Sequence, residues 1–275
     1  MKRIYLVLVS CCLIALANVV SAQSNTNQNK FRQLGQTLPT PNVYRTASGA
    51  PGHQYWQQKA NYDIKVELDD ENQKITGSET ITYYNNSPDA LTYLWVQLDQ
   101  NVRAKDADGY KTATSKIDNR MSMRDFKRLH NSFEGGFTIE KVSDRNGTAL
   151  PYTINKTMMR IDLAKPLAPK GNVSFKIDWW YNINDRMEIG GRSGYEYFAE
   201  DDNYLYTIAQ FFPRMAVYSE VDGWQNKQFL GGGEFALAFG DYKVAITVPE
   251  DHIVGATGVL QNANEVLTAE QRSRF

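Results

Sequence analysis

From Tyr62 the chain alternates with a period of two. Tyr62, Ile64, Val66 and Leu68 are apolar, and Asp63, Lys65 and Glu67 between them are charged. Successive side chains of a strand point to opposite faces, so this segment offers one face to a core and one to water. The 3.6-residue period of a helix does not fit it. The cluster Asp69-Asp70-Glu71-Asn72 marks a turn, and strand texture returns over Ile75 to Tyr84, which predicts an antiparallel hairpin. The same texture recurs over Leu91 to Leu98, Phe137 to Val142, Tyr152 to Ile154, Met158 to Leu163 and Val173 to Tyr181. It recurs again over Tyr204 to Ala209, Glu234 to Phe239 and Lys243 to Val248. Asp144-Arg145-Asn146-Gly147 reads as a hairpin turn, because Asn-Gly accepts positive φ at both central positions. Many short strands punctuated by turns predict an all-β domain, an antiparallel saddle or sandwich.

Two stretches depart from that texture. Between Arg103 and His130 eight Lys or Arg residues mix with four Asp, which reads as a solvated insertion with a short helix over Met121 to Leu129. Beyond Leu260 the chain turns polar, and Thr268 followed three residues later by Gln271 has the form of a helix-opening capping box.

The start of the chain reads as a signal peptide over residues 1–22. Lys2 and Arg3 precede an apolar run from Ile4 to about Val20, and Val20-Ser21-Ala22 supplies small residues for cleavage. A membrane anchor is the competing reading, but the run is short for a span. A lipid-bearing Cys11 after Leu8-Val9-Ser10 is a second alternative, opposed by the apolar residues that continue past it. Residues 23–52 are polar, punctuated by Pro39, Pro41 and Pro51, and read as an extended or disordered lead-in. The expected β domain then covers 53–260, and 261–275 forms a polar, helical segment.

Cys11 and Cys12 are the only cysteines, and both lie in the expected signal. The mature chain is therefore expected to lack disulfides, thiolate metal sites and a cysteine nucleophile. Of 30 basic and 31 acidic residues, removal of Lys2 and Arg3 leaves 28 against 31. That balance gives no electrostatic case for nucleic acid or anionic lipid as partner.

Little in the sequence has the spacing of a catalytic centre. His53, His130 and His252 stand far apart, without a His-Glu-x-x-His helix, so no zinc site is expected in this chain. Gly191-Arg192-Ser193-Gly194-Tyr195 lacks the last Gly of a hydrolase elbow, and Gly231-Gly232-Gly233 lacks the Lys of a phosphate loop. Glu188 with Glu200, or Asp201 with Asp202, have no spacing that selects a glycosidase pair. Trp179, Trp180, Tyr181, Tyr195, Tyr197 and Phe198 are read first as sheet core and second as a stacking platform for sugar.

Four segments, in order, resemble the amino-terminal domain of the gluzincin aminopeptidases, the aminopeptidase N and leukotriene hydrolase family. Tyr62 to Leu68 with Ile75-Thr76-Gly77-Ser78-Glu79 is similar to the opening hairpin. Leu94-Trp95-Val96-Gln97-Leu98-Asp99-Gln100-Asn101 is similar to a strand of the large bacterial exported members. Tyr206 to Met215 resembles the segment that enters the active-site cleft. Tyr242 to Pro249, with Gly255-Ala256-Thr257-Gly258, resembles the strand and turn near the domain's end.

The resemblance implies a β saddle capping a separate catalytic domain. That domain would hold His-Glu-x-x-His and a distal Glu around one zinc, which activates water for amide hydrolysis. The family's amine-binding Gly-x-Met-Glu-Asn strand is not matched by Gly232-Gly233-Glu234-Phe235, which has neither the Met nor the Asn. By the same resemblance Gln210 is the substrate-binding residue, reaching the free amino end of a peptide substrate. A neutral amide oxygen accepts from an ammonium group as that role requires.

The expectation is a non-catalytic amino-terminal portion of an exported zinc aminopeptidase that ends at Phe275, a strand or two before its domain closes. Zinc and the catalytic-domain partner would lie outside this chain. The open edge would favour association. The rival expectations are a stand-alone surface module binding glycan or peptide, and an assembly protein that works by strand addition at the open edge.

Overall fold

The computed structural model describes residues 41–112, 120–123, 126, 132–233 and 235–274. The expected signal, both cysteines and His130 lie outside the described residues, as does most of the helix expected over Met121 to Leu129. Within the expected lead-in, residues 42–52 form a small loop closed by an Arg45–Pro51 bridge. An ion pair from Arg45 to Glu220 ties it down.

The fold is all-β. The alternating segment becomes β1 (Lys59–Asp69), which turns directly into β2 (Lys74–Tyr84) in antiparallel register, Tyr62 opposite Ile81 and Leu68 opposite Ile75. β3 (Leu91–Gln97) crosses to a second sheet, and β4 (Thr138–Asp144) returns to the first. β5 (Tyr152–Asn155) and β6 (Met158–Leu167) belong to the second sheet, and β7 (Asn172–Asn182) to the first. A separate hairpin follows, β8 (Gly194–Phe198) with β9 (Asn203–Thr207). Four two- or six-residue strands come after it: β10 (Arg214–Met215), the pair β11 (Tyr218–Ser219) and β12 (Gly223–Trp224), and β13 (Tyr242–Thr247). The first sheet runs β13-β1-β2-β7-β4 and the second β10-β3-β6-β5.

The apolar faces of the two sheets meet to form the core. Ile64, Ile81, Phe175, Ile177 and Trp179 from the first sheet, and Leu94, Val96, Met159 and Ile161 from the second, are fully buried. Burying such a side chain contributes about 1.5–3 kcal/mol. Gly77 shows how closely the core is fitted. It stands opposite Trp179 across β2 and β7, and a Cβ there would lie 2.2 Å from the indole ring. The glycine in the middle of a strand is the space the tryptophan occupies.

Four details depart from the expected pattern. β13 pairs with β1 in parallel, so the first sheet is mixed rather than wholly antiparallel. The strand expected over Glu234 to Phe239 reduces, in the described residues, to one bridge between Phe239 and Lys59. Gly240 then presses on Ala60, whose carbonyl oxygen would lie 1.6 Å from an added Cβ, and the ladder begins only after it. Texture alone does not separate a strand from an extended approach to one. The Asn-Gly turn forms with only Gly147 at positive φ (+82°), not Asn146 as well. Asp144 organises it, its carboxylate accepting from the amides of Asn146 and Thr148 at 2.8 and 2.9 Å. The chain leaving the turn makes a single bridge, Ser143 to Ala149, before crossing to the other sheet.

Ahead of the stretch where the short helix is expected, a 3-10 turn at Asp99–Arg103 and a short helix at Asp108–Thr112 are described. At the far end the capping box forms as its spacing predicts. The Thr268 amide donates to Gln271 Oε1 at 2.8 Å and the Gln271 amide to Thr268 Oγ1 at 3.2 Å, opening a helix over Ala269–Arg274.

Candidate functional site

Residues 209–216 link β9 to the second sheet, and Gln210 lies among them. Its φ is +52°. A non-glycine residue in that region costs about 1–2 kcal/mol, so something must hold it there. Gln100 does. It is 2% exposed, and its side-chain amide donates to the carbonyls of both Ala209 and Gln210, each at 3.0 Å. Arg103 Nη1 in turn donates to Gln100 Oε1 at 2.9 Å. From the other side Ser193 Oγ accepts from the Ala209 amide at 3.2 Å. The backbone at Gln210 is thus gripped on both sides. The Gln210 side-chain amide has no hydrogen-bond partner among the described residues, and the residue is half-buried.

The next residues anchor the segment into the core. Phe211 and Phe212 pack edge to face at 5.0 Å, and Phe212 does the same with Tyr62 at 5.5 Å. Arg214 pairs with Asp99, both largely buried, and β10 pairs with β3 in the register Arg214 to Gln97. The Met215 amide donates to Tyr62 Oη at 2.9 Å.

Asp99, Gln100 and Asn101 therefore act as a unit. Asp99 takes Arg214, Gln100 takes the carbonyls at 209 and 210, and Asn101 bridges the Lys156 carbonyl (2.7 Å) and the Phe137 amide (2.7 Å). Sequence reasoning placed these three only inside a family-like string and assigned them no role. The available signal was three consecutive polar residues at the buried end of an apolar strand, where unpartnered polar groups are costly.

Electrostatically the region is dry. Burial pushes the Asp99 carboxyl above its ordinary value, with the Arg214 charge and hydrogen bond pulling the other way. Burial alone raises Glu79, on β2, well above the carboxylate range. It is fully buried, and neither carboxyl oxygen has a hydrogen-bond partner among the described residues, surroundings that favour the neutral acid. Burial also drives Tyr62 well up, with the hydrogen bond from the Met215 amide pulling the other way.

The remaining candidates sort by their surroundings. Ser193 is buried and committed to Ala209, so Gly191 to Tyr195 is a structural turn leading into β8. Gly231 to Gly233 is an exposed bend. His53 is exposed, and His252 lies beside Tyr206 with its ring centroid 5.8 Å away. Among the described residues no three His, Cys, Asp or Glu converge as a metal would require, so no step is routed here through a metal. No described helix is long and apolar enough to cross a membrane. Of the aromatics, Trp179 and Tyr181 are core, stacked on each other at 6.0 Å. Trp180 is half-buried under the Lys74 ammonium, 4.0 Å from its ring centre. Tyr197 and Phe198 are exposed.

No protein-family model matches the chain, and no curated protein matches it. Solved structures do. A two-domain M1 zinc metallopeptidase mutant bound to L-tryptophan is 12% identical, with a TM-score of 0.40 over 78% of this chain and 38% of that one. An M1 zinc metallopeptidase mutant from Deinococcus radiodurans bound to a Tyr-Ser-Ala substrate is 12% identical, with a TM-score of 0.39 over 75% and 36%. The M1 zinc metallopeptidase from Deinococcus radiodurans is 12% identical, with a TM-score of 0.37 over 77% and 37%. This chain spans less than two-fifths of the length of these structures.

Proposed function

We propose that this chain is the amino-terminal, non-catalytic portion of an exported zinc-dependent aminopeptidase. Its role is to cap the catalytic domain and to present Gln210 to the free amino end of a peptide. The observation that carries the reading is the Gln210 segment. A strained residue is held at +52° by a buried amide and a buried hydroxyl, while its own side chain keeps its hydrogen-bonding capacity unused among the described residues. A preorganised, unspent polar group on a rigid support is what recognition of an ammonium needs. The carbonyl oxygen of Gln210 would accept from the substrate amine, and the rigid backbone would fix the distance to the scissile bond. Zinc would be bound by a neighbouring domain, since no set of described residues here fits it. The apolar surface at Leu237, Phe239, Ile253 and Val259, which is exposed, would meet that domain.

The test is the gene. Reading the coding sequence beyond codon 275 is expected to show an open frame with His-Glu-x-x-His and a distal Glu. In the product of that frame, Gln210→Ala is expected to raise KM for aminoacyl substrates about tenfold, the size of one lost charge-assisted hydrogen bond. A stop codon directly after Phe275, or an unchanged KM, contradicts the proposal.

A further inference from the structure

The β8–β9 hairpin carries four tyrosines, two packed against the core and two exposed. Tyr195 lies opposite Tyr206 and Tyr197 opposite Tyr204, so period-two alternation puts all four on one face. Their rings form a continuous row. Tyr204 is its centre, 4.9 Å from Tyr197, 5.9 Å from Tyr195 and 6.1 Å from Tyr206. The row runs from Tyr195 and Tyr206, half-buried against the core with the Tyr206 hydroxyl donating to Gln73 Oε1 at 2.9 Å, out to Tyr197 and Tyr204, which are 48% and 41% exposed.

Carboxylates outnumber cations in the segment that carries the row. Between Asp185 and Thr207 the chain has six carboxylates and two arginines. Arg186 is paired with Glu196 at 3.4 Å, and Arg192 has contacts of its own. Asp202 accepts from the Tyr197 hydroxyl at 2.8 Å. The Tyr195 hydroxyl is raised first by burial and then by Asp185, Tyr204 and Glu188. Tyr206 is pushed up to about 12, chiefly by burial, with Asp70 contributing. His252, beside Tyr206, is held by Asp251 at 2.9 Å. An aromatic face draws cations to its π-cloud, and a carboxylate rim adds charge attraction from the sides.

We infer that the tyrosine face of this hairpin is a binding site for the cationic side chains of a peptide, lysine or arginine. A neutral sugar would use the same rings but gain nothing from the carboxylates. An acidic peptide would be repelled by them. β9 ends at Thr207, three residues before Gln210, so the site lies on the approach to that residue. A preference for basic peptides as substrates follows only if the proposed aminopeptidase reading holds, whereas the binding itself does not depend on it.

The test uses this chain as it stands and titrates an amino-acetylated, carboxy-amidated peptide with two arginines. The same peptide with citrulline in place of arginine serves as control, and binding is followed by NMR and calorimetry. Acetylation removes the free amine that recognition by Gln210 would require, so the result stands apart from the aminopeptidase reading. The arginine peptide is expected to bind at least about tenfold more tightly than the citrulline peptide, the scale of a cation–π contact assisted by charge. Tyr204→Ala is expected to weaken it about 5- to 30-fold and Asp202→Asn by a smaller factor, while Tyr204→Phe keeps it, because the ring and not the hydroxyl is needed. Circular dichroism checks the fold of each variant. Should Tyr204→Ala unfold the hairpin, the exposed Tyr197→Ala takes its place. Equal binding of the two peptides, no binding of either, displacement by a neutral oligosaccharide, or indifference to both tyrosine changes would each overturn the inference.

Discussion

Ile64 and Val244 are paired in parallel register on adjacent strands, and so are Val66 and Ile246. All four are β-branched and face the same side of one sheet. Ile64 is fully buried, whereas Val244 is 42% and Ile246 41% exposed. The difference lies in what stands above them. β1 has the second sheet over it, while the ring contacts of β13 among the described residues are Tyr62 against Tyr242, stacked at 4.8 Å, with Phe212 at the edge. Alternation in a sequence specifies that a strand has an apolar face. It does not specify what covers the face, and in this molecule one strand finds its cover within the described residues and its neighbour does not.

The comparison breaks first at its strongest point. Trp179→Ala empties the centre of the core and frees the space that Gly77 concedes, so a loss of about 3–5 kcal/mol is expected in urea unfolding. A loss under about 1 kcal/mol would mean the sandwich is far looser than its burial implies.

A smaller effect comes from Glu79. In the folded chain it keeps its proton above the pH where an ordinary glutamate, near 4.5, gives it up. The folded state then binds more protons than the unfolded one, so stability falls as pH rises from about 4.5 toward the raised folded value. Glu79→Gln is expected to flatten that slope. For one proton that slope cannot exceed about 1.4 kcal/mol per pH unit, and thermal melts from pH 4 to 8 measure it. A slope unchanged by the substitution would place the titration elsewhere.

The smallest effect belongs to β13. Val244→Thr is expected to stay within about 0.5 kcal/mol of the parent, as changes away from packed features do. A loss comparable to that of Trp179→Ala would show that something covers this strand after all.

Much of the sandwich was legible because its strands alternate cleanly and its turns carry the residues that turns require. β1, β2, β3, β6 and β7 begin and end within a few residues of where period and punctuation put them. The capping box at Thr268 and Gln271 was legible for the same reason, since both bonds are local. What was not legible is long-range. The parallel pairing of β13 joins residues about 180 positions apart in sequence, and no local signal distinguishes it from an antiparallel return. Residues 235–239 have strand texture but make one bridge, Phe239 to Lys59, before Gly240 crowds Ala60.

The candidate site divides in the same way. Gln210 was reached through a family resemblance, but the reason it can be held in place was not. Its clamp comes from Gln100, 110 residues earlier, and Ser193, which sequence reasoning had set aside as part of a turn. The aromatic residues were read as one group, yet Trp179 and Tyr181 fill the core while Tyr197 and Phe198 face solvent. Composition counts rings and does not say which sheet they belong to.

Native-state hydrogen exchange on the isolated chain, resolved by residue, tests the contrast between the two regions most directly. Amides of β1, β2 and β7 at their shared ladders are expected to exchange only through global unfolding. Those of β13 and of the bridged stretch before it should exchange through local opening at a free energy several kcal/mol lower. Equal protection of β13 and β7 would contradict the account, because an uncovered strand cannot share the stability of a covered one.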